Sequence, residues 1–379
     1  MGKGLMILLF MIIAMFMGMV GSNLFGDIKP AVPAVFVFGD STFDVGTNNF
    51  LNDSKATATQ PFYGIDFPNK ISTGRFSNGF NIADRIVQLL GFNASPPAYL
   101  YLLNNDTQNF NRDILKGVNF ASGGSGILPK TGKQIYIDVV PMEDQIQQFT
   151  TIHGNMSQYV NESNAKAIIN KSLFLVSVGS NDLFEFFYFN ASKHPNNFTL
   201  VVEFMNNLAS NYQVQLKNLI NLGARKFGIL SVPPIGCVPV LSAIANPKTH
   251  CLDQLNTLAR FFYEEVVFML KNLKSECPDI QYSLGDSLNI TNSMVDNRAS
   301  LHLDDVTSAC CGNQTLNMNG LLEGVPCSPE ANLCDNRSNF LFWDQYHPTD
   351  YVSQIAASKL YSGGNEFVTP MNFSLLVKS

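Results

Sequence analysis

Asp344 and His347 are the two residues whose types and spacing most directly indicate chemistry. They lie three residues apart in the segment FWDQYHPT at 342–349, where Pro348 is well placed to open a helix. A carboxylate at this spacing can accept a hydrogen bond from the Nδ1–H of the imidazole, which frees Nε2 to take a proton from a hydroxyl group. The same spacing also occurs where an aspartate makes only a capping interaction. The pair therefore indicates catalysis only if a nucleophile lies beside it.

Ser41 is the candidate nucleophile. The stretch AVFVFGDS at 34–41 begins with an unbroken apolar run, which is typical of a strand buried on both faces of a parallel sheet. Gly39 lets the chain turn sharply, so Ser41 is expected at the carboxyl edge of the sheet, where open α/β sheets bind ligands. If a helix begins near Ser41, its first N–H groups would face the atom that the serine attacks. The alternative is a serine that only caps a strand–helix turn.

Two further polar points follow predicted strands. The glycine-rich loop SGGSG at 122–126, which contains Gly124, comes after a short strand at 117–121. Such a loop is a tight turn or a place where the backbone approaches a ligand, and both interpretations are compatible here. Asn181 follows an apolar strand at 173–178. The carboxyl ends of parallel strands share one edge, so these points are expected to lie near Ser41.

The remaining elements predict the fold class. Apolar runs indicate further strands at 226–232 and 280–284, and helical periodicity indicates helices at 81–90, 142–159, 199–222, 252–273 and 349–360. Residues 305–338 are rich in Cys, Gly and Asn and are interpreted as a loop. Alternating strands and helices predict an α/β protein, a three-layer α/β/α sandwich around a central parallel sheet. No linker divides residues 26–379, so a single domain is expected.

Composition and the N-terminus bound the environment of the protein. The chain has 379 residues and a formal net charge of -6, without a Lys/Arg cluster, which argues against nucleic acid as a partner. Lys3, an apolar run at 5–20 and the small residues Gly21 and Ser22 predict a cleaved signal peptide over 1–25. An uncleaved membrane anchor is the alternative, but the run is shorter than the ~20 residues that span a bilayer. No later stretch is long enough for stable membrane insertion.

Sequons and cysteines agree with secretion. Asn-x-Ser/Thr sequons, the candidate glycosylation sites, occur at Asn52, Asn93, Asn105, Asn155, Asn161, Asn170, Asn190, Asn197, Asn289, Asn313, Asn336 and Asn372. The seven cysteines are Cys237, Cys251, Cys277, Cys310, Cys311, Cys327 and Cys334. Most are expected to form disulfides, and the odd number leaves at least one over. Their spacings do not match a zinc pattern. A secreted, extracellular protein of the apoplast or cell wall is predicted.

Four motifs together carry a family resemblance. FVFGDSTFDVG at 36–46, GVNFASGG at 117–124, VGSND at 178–182 and FWDQYHPT at 342–349 resemble the plant GDSL esterase/lipases of the SGNH hydrolase superfamily. The resemblance spans essentially the whole chain after the N-terminal segment, and it implies the flavodoxin-like sandwich of that superfamily. Thr42 stands where the family name has Leu, and Thr47 interrupts the usual Gly-Asn-Asn run; neither departure affects a catalytic residue.

The resemblance also implies roles for individual residues. Ser41 matches the nucleophile, and Asp344 and His347 match the pair that activates it. The N–H groups of Ser41 and Gly124 and the amide of Asn181 match the oxyanion hole, where the choice between Gly123 and Gly124 depends on a one-residue alignment. The implied reaction is two-step hydrolysis of a small-molecule or lipid ester through an acyl-enzyme, and it calls for no metal or organic cofactor.

The resemblance suggests a disulfide between Cys237 and Cys251, which flank a loop after a predicted strand. Cys310, Cys311, Cys327 and Cys334 are expected to pair among themselves in an order left open, with Cys277 left over.

Two alternatives to an esterase remain open at this point. An acyltransferase would use the same residues and pass the acyl group to an alcohol, and a non-catalytic secreted glycoprotein would keep only the fold. The sequence indicates neither the natural ester nor the oligomeric state.

Overall fold

The computed structural model describes residues 29–105, 108–194, 197–241, 244–246, 248–316 and 322–379. The signal peptide predicted for 1–25 lies outside these residues. The strands are β1 Val35–Gly39, β2 Leu173–Ser177, β3 Lys226–Leu230, β4 Gln281–Gly285, β5 Asp305–Ala309, β6 Asn313–Leu316, β7 Leu322–Val325, β8 Phe340–Phe342 and β9 Val368–Thr369. The α-helices are α1 Ile82–Leu89, α2 Tyr99–Asn105, α3 Phe110–Asp113, α4 Lys133–Tyr136, α5 Met142–Val160, α6 Glu162–Lys171, α7 Ser180–Phe186, α8 Phe198–Asn221, α9 Asp253–Glu276, α10 Ser287–Asp296, α11 Asp350–Ser362 and α12 Phe373–Leu376.

The central sheet is mostly parallel and flanked by helices, which confirms the predicted fold class. Its order is β1-β2-β3-β4-β9, and only β9 runs antiparallel, at the edge beside β4. The last residues of the four parallel strands stand opposite one another: Gly39, Ser177, Leu230 and Gly285. The carboxyl ends of the four parallel strands therefore line up along one edge of the sheet.

The continuous apolar runs produce strands that are covered on both faces. All five residues of β1 and of β2 are buried. On one side Phe36 and Phe174 pack against Phe149 of α5, with ring centroids 5.0 and 5.3 Å from the Phe149 ring. Because successive side chains of a strand point to opposite faces, a strand buried on both faces shows no alternation in its sequence.

The order of the strands reverses beside β1. The chain first places Asn119 next to Val37 on the outer side of β1, through a parallel bridge. It then returns to place β2 on the inner side. The strand predicted for 117–121 is thus an extended segment joined to β1 by one bridge. Ligands of doubly wound sheets bind where two successive connections diverge in this way, and here that point lies beyond Gly39 and Ser177.

The cysteine-rich segment is more regular than predicted. Residues 305–338, interpreted from composition as a loop, contain β5, β6 and β7. Strand β5 pairs with β8, and β6 pairs with β7. Strand β5 pairs with residues far along the chain, Asp305 with Phe340 and Ala309 with Phe342. No local sequence pattern therefore predicts this pairing.

Candidate functional site

A tight turn holds Ser41 at the end of β1. A Cβ on Gly39 would lie 2.1 Å from the carbonyl oxygen of Ser177, so only glycine allows this approach to β2. After it, Asp40 Oδ1 accepts the N–H of Thr42 at 2.9 Å, and the Asp40 carbonyl accepts the N–H of Phe43 at 3.1 Å. The helix considered near Ser41 is absent: residues 41–43 form a turn and the first α-helix after β1 begins at Ile82. Asp40 closes the chain into a turn by a local side-chain bond that competes with helix formation.

His347 lies within hydrogen-bond distance of both Ser41 and Asp344. Ser41 Oγ is 2.7 Å from His347 Nε2. His347 Nδ1 is 2.8 Å from Asp344 Oδ1 and 2.9 Å from Asp344 Oδ2. Because a carboxylate can only accept, Nδ1 carries the proton and Nε2 can accept the hydroxyl proton of Ser41. The arrangement is that of a nucleophile, a general base and an orienting carboxylate.

Asp344 is held by backbone and side-chain donors together. Its Oδ1 accepts the N–H groups of Tyr346 and His347, each at 2.8 Å. Its Oδ2 accepts the hydroxyl of Tyr63 at 2.8 Å. Burial alone would raise the pKa of Asp344, but the charge and ring N–H of His347 and the backbone N–H groups of Tyr346 and His347 hold the pKa below its ordinary value. Asp344 is therefore ionised when His347 needs an acceptor.

Tyr63 is a site residue that the sequence analysis missed. It is buried, and its ring packs edge-on against Trp343 with a centroid distance of 6.3 Å. Burial, and then the charge of Asp344, raise the pKa of Tyr63, so the hydroxyl stays a donor. Nothing in the local segment PFYG at 61–64 marks this residue, because its partner lies 281 residues away.

The structure distinguishes Gly124 from Gly123. The N–H of Gly123 donates to Asp44 Oδ2 at 2.9 Å, whereas in the described part of the chain no protein group accepts the N–H of Gly124. Gly124 has φ +78, and a Cβ there would lie 2.4 Å from Cδ2 of Tyr136. The backbone therefore requires glycine here, and the N–H group of Gly124 remains available to a ligand.

Asn181 lies at the second position of α7, directly after the β2 turn, and lines the same cleft as Ser41 and Gly124. Its Nδ2 donates to the carbonyl of Ser125 at 2.8 Å. An amide nitrogen carries two hydrogens, so this bond fixes the orientation of the amide and leaves one N–H for a ligand. The three residues named from the sequence for an oxyanion hole, Ser41, Gly124 and Asn181, thus line one cleft.

Two buried carboxylates hold the backbone within and directly after the glycine-rich loop. Asp44 accepts Gly123 as above, and its Oδ1 accepts the N–H groups of Gly46 and Thr47, each at 2.7 Å. Asp182 accepts the N–H of Ile127 at 2.9 Å. Burial raises the pKa of both Asp44 and Asp182 to about 6. Both lie inside the motifs that carried the family resemblance, but no role was predicted for either residue.

The cleft around these residues has a volume of about 380 Å³. The Phe76 ring packs against His347 with a centroid distance of 4.8 Å. Tyr136, Tyr188 and Tyr346 line the mouth of the cleft. This volume lies in the range of small-molecule sites.

Six cysteines form three disulfides: Cys237–Cys251, Cys310–Cys334 and Cys311–Cys327. Cys277 is free. The first pair is the one that the resemblance suggested, and the order of the other two had been left open. Both of these lie beside the segment that carries Asp344: the N–H groups of Cys310 and Cys311 donate to the carbonyls of Phe342 and Trp343 at 3.0 and 2.7 Å.

The candidate glycosylation sites differ in exposure. The exposed asparagines are Asn52, Asn93, Asn105, Asn161, Asn190, Asn197, Asn289 and Asn336, and the half-buried ones are Asn155, Asn170 and Asn372. The side chain of Asn313 lies outside the described part of the structure. Among the residues described, no helix is both long and apolar enough to cross a membrane.

Comparison with known proteins gives one consistent result. A profile of the family described as GDSL-like Lipase/Acylhydrolase matches residues 35–360. A GDSL esterase/lipase of Arabidopsis thaliana is 34% identical over 380 residues, covering 97% of each chain. GDSL esterase/lipase 6 of the same plant is 35% identical, covering 91% of this chain and 90% of its own. Anther-specific proline-rich protein APG of Brassica napus is 35% identical, covering 87% of this chain and 71% of its own. The chain belongs to the GDSL-like lipase/acylhydrolase family.

Proposed function

We propose that this member of an ester hydrolase family cleaves carboxylic esters with Ser41 as nucleophile, His347 as general base and Asp344 as orienting carboxylate. The observation that carries the proposal is the 2.7 Å contact between Ser41 Oγ and His347 Nε2, with His347 Nδ1 directed at Asp344. In the first step Ser41 Oγ attacks the ester carbonyl while His347 takes its proton. His347 then gives the proton to the leaving alcohol, and water hydrolyses the acyl-enzyme in the same way.

The negative oxygen that develops on the carbonyl would be held by three donors: the N–H groups of Ser41 and Gly124 and the amide of Asn181. Each such donor typically stabilises a transition state by ~3 kcal/mol. The proposal is supported by the free N–H of Gly124 in the described chain and by the bond that orients Asn181 toward the cleft.

Covalent labelling tests the nucleophile. A tagged fluorophosphonate should label the wild-type protein on Ser41, and Ser41→Ala should lose both the label and the hydrolysis of p-nitrophenyl esters. Ser358→Ala, which changes an exposed serine on α11, is the matched control and should keep both. A folded Ser41→Ala variant that retains more than about a tenth of the activity would contradict the assignment.

The same experiment separates the two alternatives. A non-catalytic glycoprotein would take no label and hydrolyse no ester. An acyltransferase would be labelled, but with an added alcohol it would form a new ester in preference to the free acid.

We also propose that the protein is secreted through a cleaved signal peptide over 1–25 and carries N-linked glycans. The three disulfides and the eight exposed sequon asparagines support this proposal. N-terminal sequencing of the protein from its native tissue should begin near residue 26, and an endoglycosidase should lower its apparent mass. An intact N-terminus on the mature protein would contradict cleavage.

A further inference from the structure

The cleft does not end at Ser41. It continues as an enclosed region, called here the inner channel, whose apolar lining residues are Ile290, Met294, Leu341, Val352, Ala356 and Leu360. Each of these side chains is at most 5% exposed. Two of the hydroxyl groups beside them are already paired: the Ser231 hydroxyl accepts the N–H of Ser287 at 2.9 Å, and the Thr291 hydroxyl donates to the Ser287 carbonyl at 2.8 Å. The inner channel therefore presents an apolar surface.

Two independent measures give the length of the inner channel. Val352, Ala356 and Leu360 follow one another at intervals of four residues on one face of α11, so the row that they form is about 12 Å long. Ser41 follows β1, whereas Leu360 lies against the end of β4, where a Cβ on Gly285 would be 2.2 Å from Leu360 Cδ2. Three strand spacings separate β1 from β4, which is about 14 Å. The inner channel thus runs along the carboxyl edge of the sheet from Ser41 to Leu360.

We propose that the inner channel binds the acyl group of the substrate as an extended saturated chain. This proposal rests on the ester hydrolysis proposed above and specifies its substrate. A carbon chain with bonds of about 1.5 Å advances about 1.25 Å per carbon when extended, so a length of 12 to 14 Å matches about ten carbons. Esters of medium-chain fatty acids fit this length, whereas an acetyl group would leave most of the inner channel unfilled.

The two ends of the cleft differ in a way that assigns the acyl group to the inner channel. Leu360 closes the inner end against the backbone of β4. At the mouth, Tyr188 and Tyr346 are 37% and 39% exposed and line the cleft together with Lys55 and Glu185. The alcohol must leave and water must enter while the acyl group stays bound to the serine. The open, polar mouth suits the alcohol and water, and the closed apolar end suits the acyl chain.

A chain-length series tests the proposal. The wild-type protein should hydrolyse p-nitrophenyl esters with kcat/KM rising from acetate to about decanoate. Ala356→Leu places three more carbons in the middle of the inner channel. It should lower kcat/KM for decanoate about tenfold or more and leave butanoate within about twofold, since a single methylene is worth about tenfold or more in a closed apolar pocket. The matched control is Ser358→Leu, the same new side chain on the exposed face of α11, which should keep the wild-type profile.

A second variant and a second probe test the proposal even if Ala356→Leu does not fold. Leu360→Val removes one methylene at the closed end and should raise kcat/KM for the dodecanoate ester relative to that for the decanoate ester. Inactivation by alkyl fluorophosphonates of two to ten carbons, which share one leaving group, should show the same chain-length dependence as the esters.

Each result bears on one of the two proposals. If the wild type hydrolyses esters and none of the variants changes the chain-length profile, the inner channel does not bind the acyl group. If instead a series of alkyl acetates responds to Ala356→Leu, the inner channel binds the alcohol and the assignment is overturned. No labelling and no hydrolysis of any ester would overturn the proposed function itself.

Discussion

The buried carboxylate of Asp182 is predicted to keep the glycine-rich loop in its working shape. Its Oδ2 accepts the N–H of Ile127 at 2.9 Å, and its Oδ1 accepts the N–H of Leu128 at 3.0 Å and the Thr131 hydroxyl at 2.7 Å. The substitution Asp182→Asn keeps the size of the side chain and removes its charge. The amide oxygen can still serve Leu128 and Thr131, but the NH₂ group would face the N–H of Ile127.

Two opposing terms set the effect on stability. Burial raises the pKa of Asp182 from 3.8 to about 6, and at about 1.36 kcal/mol for each pKa unit the charged form costs about 3 kcal/mol at neutral pH. Losing a hydrogen bond to a charged acceptor costs about 1.5–3 kcal/mol. The free energy of unfolding of Asp182→Asn at pH 7 is therefore expected within about 1.5 kcal/mol of the wild-type value.

The pH dependence of stability distinguishes the wild type from Asp182→Asn more sharply than the stability at pH 7 alone. The pKa of Asp182 is higher in the folded state than in the unfolded state, so the folded state binds the proton more tightly. The contribution of this group to stability therefore increases as the pH falls through 6, by about 1.4 kcal/mol between pH 7 and pH 5. Asp182→Asn has no proton to bind and should lack this gain. Asp53→Asn, a change at an exposed loop residue, is the matched control and should follow the wild type.

Urea unfolding at pH 7 and pH 5 measures this difference in stability. The kcat of ester hydrolysis at pH 7 shows whether the loop keeps its shape. The loop that carries the N–H of Gly124 leads directly into the residues that Asp182 holds, so kcat should fall about tenfold with KM nearly unchanged, as for a contact made in the transition state. Equal stability gains in wild type and Asp182→Asn would refute the assignment of a buried, ionisable Asp182. An unchanged kcat would refute its role in positioning the loop.

Two further predictions concern the pair that activates Ser41. Asp344→Asn should lower kcat by about 10³–10⁴-fold in steady-state assays, because the imidazole loses its orienting acceptor; a loss below tenfold would contradict the role given to Asp344. Tyr63→Phe removes one donor to the ionised Asp344, worth about 1.5–3 kcal/mol, so kcat/KM should fall by about ten- to a hundredfold. The stability that the variant loses relative to wild type should be larger at pH 7, where Asp344 is ionised, than at pH 3.

Much of the sheet could be predicted from the sequence because its strands are unbroken apolar runs. A run such as residues 34–38 has only one stable location, between two helical layers. The residues placed at the carboxyl edge followed from the same argument, since Ser41 and Asn181 each come directly after such a strand. The start of α1 is also set by local contacts, since Asn81 and Asp84 form the reciprocal bonds that begin it.

What could not be predicted depends on partners far away in the chain. Tyr63 is 281 residues from the carboxylate that it contacts. The strands within 305–338 are short and polar, and their pairing, not their composition, makes them strands. The turn at Ser41, where a helix was one possibility, is closed by the side chain of Asp40, which bonds to the N–H of Thr42. The choice between Gly123 and Gly124 depends on Asp44, which accepts the N–H of Gly123 from a distant part of the chain.

The two halves of the proposed site are held by different parts of the fold. Ser41 follows β1, whose residues lie in the main core, whereas Tyr63 and Trp343 belong to a small separate cluster with Cys310, Cys311 and Cys327. So few buried side chains supply little hydrophobic stabilisation, and small cores commonly need covalent links. The two disulfides of the cysteine-rich segment span 24 and 16 residues, each enough to stabilise a fold by about 3 kcal/mol. Because the Trp343 N–H donates to the His347 carbonyl at 2.7 Å, that covalent support reaches the base and its carboxylate, while the nucleophile depends on β1 and the α5 side chain of Gln145, which bonds to both backbone groups of Gly39.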